Sequence, residues 1–254
     1  MAVQTVTSAS NEKVKAFKSL QSAKGRAAQG LFVAEGRKLC AEAFRDACVD
    51  TLMVDIDRAG EFEDMISMAP QTLLVPAHVL SSVCEAKTPQ GVAASVAHPA
   101  PMDLSAASGC ILALDGVQDP GNVGTMLRTA EAAGFSGALL SPQCADAFST
   151  KTVRATMGSI FRLPIWRGEM TQALEILRTV GFSIVTTELE GTELRRGEEI
   201  QKPFVLVIGS EGNGITAPVR AMADRRVRIP MRGRAESLNA AVAAGVLMYT
   251  LTQE

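Results

Sequence analysis

The sequence predicts an α/β protein in two parts, the second built on a parallel sheet. Three observations carry this. Short apolar runs alternate with segments of helical periodicity along the chain, the pattern of helices layered on a sheet. Phe204 to Ile208, FVLVI, is apolar at every position, as a strand covered on both faces must be. His98 to Gly109, HPAPMDLSAASG, holds two prolines and several small polar residues and reads as a linker. It divides the chain into a small α/β domain over residues 1–97, the linker at 98–109, and the parallel-sheet domain at 110–254.

In the first part, Ser10-Asn11 can cap a helix over Glu12 to Ala23, with Val14, Phe17, Leu20 and Ala23 on one face. Strands follow at Leu31 to Glu35, Val49 to Ile56, Gln71 to Val75 and Gly91 to Ala97. Helices are expected between them at Gly36 to Ala47, Glu61 to Met68 and Ala77 to Glu85. In the second part, Cys110 to Leu114 is a strand, DGVQDPGNVG a loop, and about Thr125 to Ala133 a helix stopped by Gly134. Gly137 to Leu140 reads as a strand, Lys151 to Met157 as a helix and Phe161 to Ile165 as extended. Thr171 to Val180 is a helix, and Phe182 to Thr187, Phe204 to Ile208 and Arg226 to Met231 are strands. The last helix opens at Ser237-Leu238-Asn239. It is apolar at every position from Ala240 to Tyr249 and is expected to be buried on all sides. That run is shorter than the roughly 18–20 apolar residues a bilayer span needs. Gly245 costs about 1 kcal/mol against Ala inside a helix, which points to a packing reason for it.

Composition narrows the function. At 47% hydrophobic and 20% charged the chain is an ordinary soluble globular protein. Met1 to Ser10 has neither a basic start nor an apolar run, so no secretory leader is expected. The five cysteines include no CxxC pair and none lies near a histidine, which argues against disulfides or a zinc site and for a reducing cytoplasm. His78 and His98 are the only histidines and neither sits in a motif, so a histidine triad or a histidine metal site is not expected. No metal is called for. Net charge is −2, yet Met1 to Cys40 carries seven basic residues against Glu12 and Glu35. These are Lys13, Lys15, Lys18, Lys24, Arg26, Arg37 and Lys38, a set that fits either a phosphate-binding face or a solvated helix surface.

Three loops after three strands hold the chemistry. They are Asp115 to Gly124 leading to Arg128, Gly209-Ser210-Glu211-Gly212-Asn213-Gly214, and Met231 to Asn239. Glycine at such positions lets backbone approach a ligand and exposes N–H groups. The second loop reads GxxGxG rather than the GxGxxG of a dinucleotide fold, and no GxxxxGK[ST] occurs, which disfavours a nucleotide-dependent oxidoreductase and an ATPase. Ser237 admits two roles, a helix cap or part of a small-ligand site.

Together the segments NVGTMLRTAEAAGF, LVIGSEGNGI and IPMRGRAESLNAAVAAGVLMY, in that order, resemble the three motifs of the SpoU/TrmH family of RNA ribose 2′-O-methyltransferases. VRATMGSIFRLPI resembles the family's linking segment, and the likeness covers about Gly109 to Leu251. KVKAFKSL and FVAEGRKLC look like the family's small RNA-binding domain of ribosomal-protein L30e type.

The resemblance implies a SPOUT-like parallel sheet whose C-terminal segment forms a deep trefoil knot, and a homodimer with the knot region at its interface. It implies S-adenosylmethionine as cofactor, held by Thr187, Gly209, Glu211, Gly212, Ile229, Met231, Ser237 and Leu238. It implies a catalytic set of Asn122, Arg128, Glu211, Ser237 and Asn239, with the two asparagines orienting groups and Arg128 on the target phosphate or hydroxyl. An arginine essentially never deprotonates in a protein, so a general-base role for Arg128 is disfavoured. The expected reaction is methylation of a ribose 2′-hydroxyl in RNA, ribosomal (23S) RNA before transfer RNA. A catalytically idle RNA-binding or assembly protein of the same fold is the alternative from another class.

Overall fold

A computed structural model describes residues 2–193 and 200–252. The chain forms two compact units. One comprises the chain up to Pro99 together with Asp146–Phe161, and the other Ala100–Ala145 and the chain from Arg162 onward.

The first unit holds a five-stranded mixed sheet built from β1 (Ala2–Thr5), β2 (Leu31–Glu35), β3 (Val49–Asp55), β4 (Gln71–Val75) and β5 (Val92–Ala97), in the order β1-β4-β3-β5-β2. Its helices are α1 (Glu12–Ser19), α2 (Ala23–Gln29), α3 (Arg37–Asp46), α4 (Glu63–Met68) and α5 (Ala77–Val83). Val14, Phe17 and Leu20 enter a core with Val33, Met53, Leu73, Val79 and Leu80. The single helix expected over Glu12 to Ala23 is two. Asn11 caps α1, the chain turns at Leu20, and Ser22 starts α2 by accepting the Gly25 N–H at 3.0 Å. Ala23 is exposed as a result. β1 carries no alternation that marks a strand and was not expected; it pairs in parallel with β4.

Residues 146–161 pack in this unit although the sequence division puts them beyond the linker. The reason is chemical. Phe148 and Phe161 lie against Phe32, with ring centroids 5.0 and 6.0 Å away, and Phe148 lies 4.2 Å from the His98 ring. Arg26 pairs with Asp146 at 2.5 Å, and Arg154 with Glu35 at 3.1 Å. Helix α6 (Pro120–Ala132) belongs to the other unit, and the short helix α7 (Thr150–Thr156) to this one.

The second unit is a six-stranded, all-parallel sheet. Its strands are β6 (Cys110–Asp115), β7 (Gly137–Leu140), β8 (Ile165–Arg167), β9 (Ser183–Glu193), β10 (Phe204–Gly209) and β11 (Arg225–Arg228), in the order β11-β9-β10-β6-β7-β8. β10 is central and its residues Phe204 to Val207 are fully buried, as its apolar run requires. Fully burying such side chains contributes about 1.5–3 kcal/mol each. α8 (Met170–Thr179) covers one face through Ala173, Leu174 and Leu177. α9 (Ala217–Ala221) and α10 (Ala240–Thr252) complete the unit, and α10 packs on α6 and β10.

Three expectations change here. β11 ends at Arg228, before Ile229-Pro230, where proline has no N–H to donate to a sheet. α6 starts at Pro120 rather than near Thr125, because Asp119 is a side-chain cap and Pro120 suits the first helical position. α10 is not buried all round. Ala241, Ala244, Leu247, Met248 and Leu251 face the core, whereas Val242, Val246 and Tyr249 are 53%, 44% and 46% exposed. Gly245 is not forced by space within one chain either, since a Cβ there would sit 3.5 Å from Thr129 Cγ2, an ordinary contact.

Candidate functional site

The second unit brings the three glycine-bearing loops together at the C-terminal edge of its sheet. Adjacent parallel strands β6 and β10 end in register, Gly209 opposite Asp115. In an open α/β sheet the carboxyl ends of the strands are where ligands bind.

From the end of β6 the chain enters α6 through the Asp119 cap, whose carboxylate accepts the Asn122 N–H at 2.9 Å. Asn122 therefore sits on the first helical turn. From the end of β10 the chain makes a tight turn, closed by two backbone hydrogen bonds of 3.0 Å between Ser210 and Gly214. Glu211 is carried on that turn and is exposed. A Cβ on Gly209 would overlap the backbone of Gly214 and Ile215, so the turn folds back on a position only glycine can occupy. Asp115, 3% exposed, anchors the far side of the loop by accepting the Thr216 N–H at 2.8 Å.

The third loop delivers Asn239, and it, not Ser237, is the cap of α10. Its Oδ1 accepts the N–H groups of Ala241 at 3.0 Å and Val242 at 3.2 Å. That fixes the amide's orientation, so its Nδ2 donates to Asn122 Oδ1 at 3.1 Å. Asn122 Nδ2 in turn donates to Glu211 Oε1 at 2.6 Å. One hydrogen-bonded chain thus joins all three loops, from the N-terminus of α10 to a carboxylate.

The remaining expected residues fall around this chain with different degrees of commitment. Ser237 and Leu238 lie exposed in the loop just before Asn239. Ile229 is half-buried and Met231 is 36% exposed. Gly212 is exposed with open space around it. Thr187 spends its hydroxyl on the Val207 carbonyl at 3.1 Å, bracing β9 against β10. Arg128 is not drawn into the hydrogen-bonded chain. It lies six residues beyond Asn122 on α6, about 9 Å of helical rise. It is exposed and makes no hydrogen bond or ion pair among the described residues.

Sequence reasoning missed Asp115 and Asp119. Asp-Pro before a helix is a cap signal that was readable; the buried anchor at Asp115 had no local sign.

The basic set of the first unit divides. Lys13, Lys15, Lys18, Lys24 and Lys38 are exposed. Lys15 pairs with Glu12 at 2.9 Å and Lys13 donates to Gln4 at 2.9 Å. Arg37 is exposed, donates to the Glu61 carbonyl and lies over the Phe62 ring. Arg26 is a correction. It is 5% exposed, bonded to the Leu20 and Gln21 carbonyls and paired with Asp146, so its charge is spent inside the unit. The buried thiols of Cys40 and Cys84 offer no nucleophile. Burial pushes Cys84 up to about 12 and Cys40 higher still, with neighbouring Cys84 and Glu35 adding to the rise at Cys40. Among the described residues no group of three or more histidine, cysteine or carboxylate side chains is placed to hold a metal ion.

Comparison with known proteins decides the family. A family model described as the SpoU rRNA Methylase family matches residues 109–249. The chain belongs to that family. A second model, the MRM3-like substrate binding domain, matches residues 11–94. The chain is 35% identical over 249 residues to the 23S rRNA (guanosine(2553)-2′-O)-methyltransferase RlmP of Bacillus subtilis, covering 98% of this SpoU member and 99% of RlmP. Among solved structures it is similar to the AdoMet-bound rRNA methyltransferase of Sinorhizobium meliloti, with a TM-score of 0.86, 34% identity and coverage of 98% and 97% of the two chains. It is also similar to the SpoU methyltransferase AviRb of Streptomyces viridochromogenes in complex with AdoMet, with a TM-score of 0.85, 27% identity and coverage of 94% and 96%.

Proposed function

We propose that this SpoU family member transfers a methyl group from S-adenosylmethionine to a ribose 2′-hydroxyl of RNA, with 23S ribosomal RNA as the target class. The observation that carries the reading is the hydrogen-bonded chain from Asn239 through Asn122 to Glu211, which joins the three family segments at one strand end. The full-length likeness to RlmP favours ribosomal over transfer RNA.

The residues present fit the cofactor. No backbone group from Ile229 to Leu238 makes a backbone hydrogen bond outside the strands among the described residues. The same stretch shows apolar surface at Met231 and Leu238. Free amides beside apolar side chains are what a purine and its ribose need. Ile229, Met231 and Leu238 would cover the adenosine, with Gly209, Gly212 and Thr187 bordering the pocket. Bound there, the cofactor supplies an electrophilic methyl on a sulfonium.

The chain's own residues supply position. Asn239 Nδ2 donates to Asn122 Oδ1 and Glu211 accepts from Asn122 Nδ2, so the Asn122 amide is held in one orientation from both ends. Ser237, two residues before Asn239, presents a hydroxyl to the same edge. Arg128 clamps the phosphate next to the target ribose. Positioning of this kind can supply about 7–11 kcal/mol of a barrier.

The third loop and α10 form the segment that threads the trefoil knot, and the chain acts as a homodimer. The apolar stripe Val242, Val246 and Tyr249, spaced along one face of α10, supports the dimer. The ribosomal target and five free cysteines fit a cytoplasmic location; recovery of the chain with membranes on cell fractionation would contradict it. The site reading is tested by calorimetric titration with S-adenosylmethionine. Wild type binds, and Glu211→Ala and Ser237→Ala bind more weakly. Unchanged affinity in both variants refutes the placement of the cofactor.

A further inference from the structure

β11 and the loop after it are rich in arginine. Residues 225–234 read RRVRIPMRGR, with no acidic residue, in a chain of net charge −2. β11 is an edge strand of its sheet. Val227 is fully buried, whereas Arg226 and Arg228 on either side of it are exposed, with a register shift in the β11–β9 pairing between Arg226 and Val227. Arg226 lies 3.7 Å from Glu188 and Arg228 3.8 Å from Glu193, with the arginine side chains 54% and 47% exposed. Glu188 is 12% and Glu193 52% exposed; at these lengths, with the arginine end in solvent, such pairs hold an arginine weakly. Arg232 and Arg234 are exposed and engage no other described residue in a hydrogen bond or ion pair. Arg234 is three residues from Ser237, at most about 10 Å of extended chain.

We propose that Arg226, Arg228, Arg232 and Arg234 form a phosphate track that seats the single-stranded RNA flanking the target ribose. The proposal rests on the function given above and adds where the strand lies. Four guanidinium groups spaced along a sheet edge and an open loop match a polyanion with a repeating charge, and each can grip a phosphate through two N–H groups. The track leads toward Asn239 and so to the hydrogen-bonded chain. It needs no base contacts, which leaves choice of site to other parts of the molecule. It lies in the SpoU unit.

The test measures binding of the full chain to poly(U) and to protein-free ribosomal RNA by fluorescence anisotropy over a salt series. Wild type is compared with Arg226→Gln/Arg228→Gln, Arg232→Gln/Arg234→Gln and Arg232→Lys/Arg234→Lys. Each phosphate contact on a single strand contributes about 0.7 to the slope of log affinity against log salt. Each glutamine pair therefore lowers that slope by about 1.4 and weakens binding about tenfold near 0.1 M salt. The lysine pair keeps most of the slope, which a merely structural role for these arginines would not produce. Thermal melting and S-adenosylmethionine affinity of the β11 pair stay at wild-type values. Wild-type RNA binding with an unchanged slope in either glutamine pair overturns the track. Wild type that binds S-adenosylmethionine but no RNA overturns the track and the RNA substrate together, whereas loss of cofactor binding in wild type strikes the proposed function at the site itself.

Discussion

Asn239 and Asn122 stand 117 residues apart in sequence and are joined amide to amide, Asn239 Nδ2 donating to Asn122 Oδ1 at 3.1 Å. The orientation of the pair is set from one end, because Asn239 Oδ1 is committed to the first N–H groups of α10. Helix capping and site geometry are therefore one interaction.

Replacing Asn239 separates these roles. Asn239→Asp keeps the acceptor that caps α10 and loses the donor to Asn122. Stability should stay near wild type, while methyl transfer falls on the order of 100-fold, the scale of a small misplacement of reacting groups. Asn239→Ala should also lose about 1 kcal/mol from the missing cap. Thermal melts beside single-turnover rates distinguish the two; an aspartate variant of full activity would remove Asn239 from the site.

Gly209 and Gly212 share a loop and differ in space. A Cβ at Gly209 collides with the backbone of Gly214 and Ile215, whereas Gly212 has open space around it. Gly209→Ala should displace the Glu211 turn and abolish S-adenosylmethionine binding. Gly212→Ala should melt at the wild-type temperature. Calorimetry and melting of the two variants check the contrast, and equal behaviour would contradict it.

Arg26 separates a structural cation from surface ones. Arg26 is buried and its partner Asp146 is 27% exposed, and removing the guanidinium also strips the Leu20 and Gln21 carbonyls of a donor, so Arg26→Ala should cost about 2–3 kcal/mol. Lys13→Ala and Lys18→Ala, both at exposed positions, should shift stability by no more than about 0.5 kcal/mol. Denaturant unfolding provides the comparison, and a mild Arg26 variant would refute the buried pairing.

The exposed stripe on α10 predicts oligomeric state. Light scattering of the wild type should give twice the chain mass of 26.8 kDa. Val246→Glu, at a position 44% exposed in the single chain, should give one chain mass with unchanged helicity. A wild-type monomer would overturn the dimer.

What the sequence made legible follows from the range of the forces involved. The β10 strand could be read because its burial on both faces leaves an unbroken apolar run, and the three loop segments because their glycines and polar residues follow strands in an order that matches the family's motifs. α2 and the true start of α6 depended on single caps, Ser22 and Asp119, which alter a boundary without altering a pattern. Arg26 looked like its exposed neighbours because nothing local records Asp146, 120 residues away. The exposed face of α10 was invisible for a similar reason: an all-apolar helix gives no sign of which side the rest of the chain leaves uncovered. The link between Asn122 and Asn239 is likewise a product of topology, since only the return of α10 against α6 brings the cap of α10 to the first turn of α6.

The central claim is methyl transfer to a ribose 2′-hydroxyl by the residues gathered at the end of β10. Its most direct test incubates the full chain with methyl-labelled S-adenosylmethionine and protein-free ribosomal RNA from cells lacking the protein, then digests the RNA to nucleosides. Wild type should place label in a single 2′-O-methylated nucleoside of 23S RNA, and Arg128→Ala should lose nearly all of it while still binding the cofactor. Label on a base, or transfer undiminished in Arg128→Ala, would contradict the account.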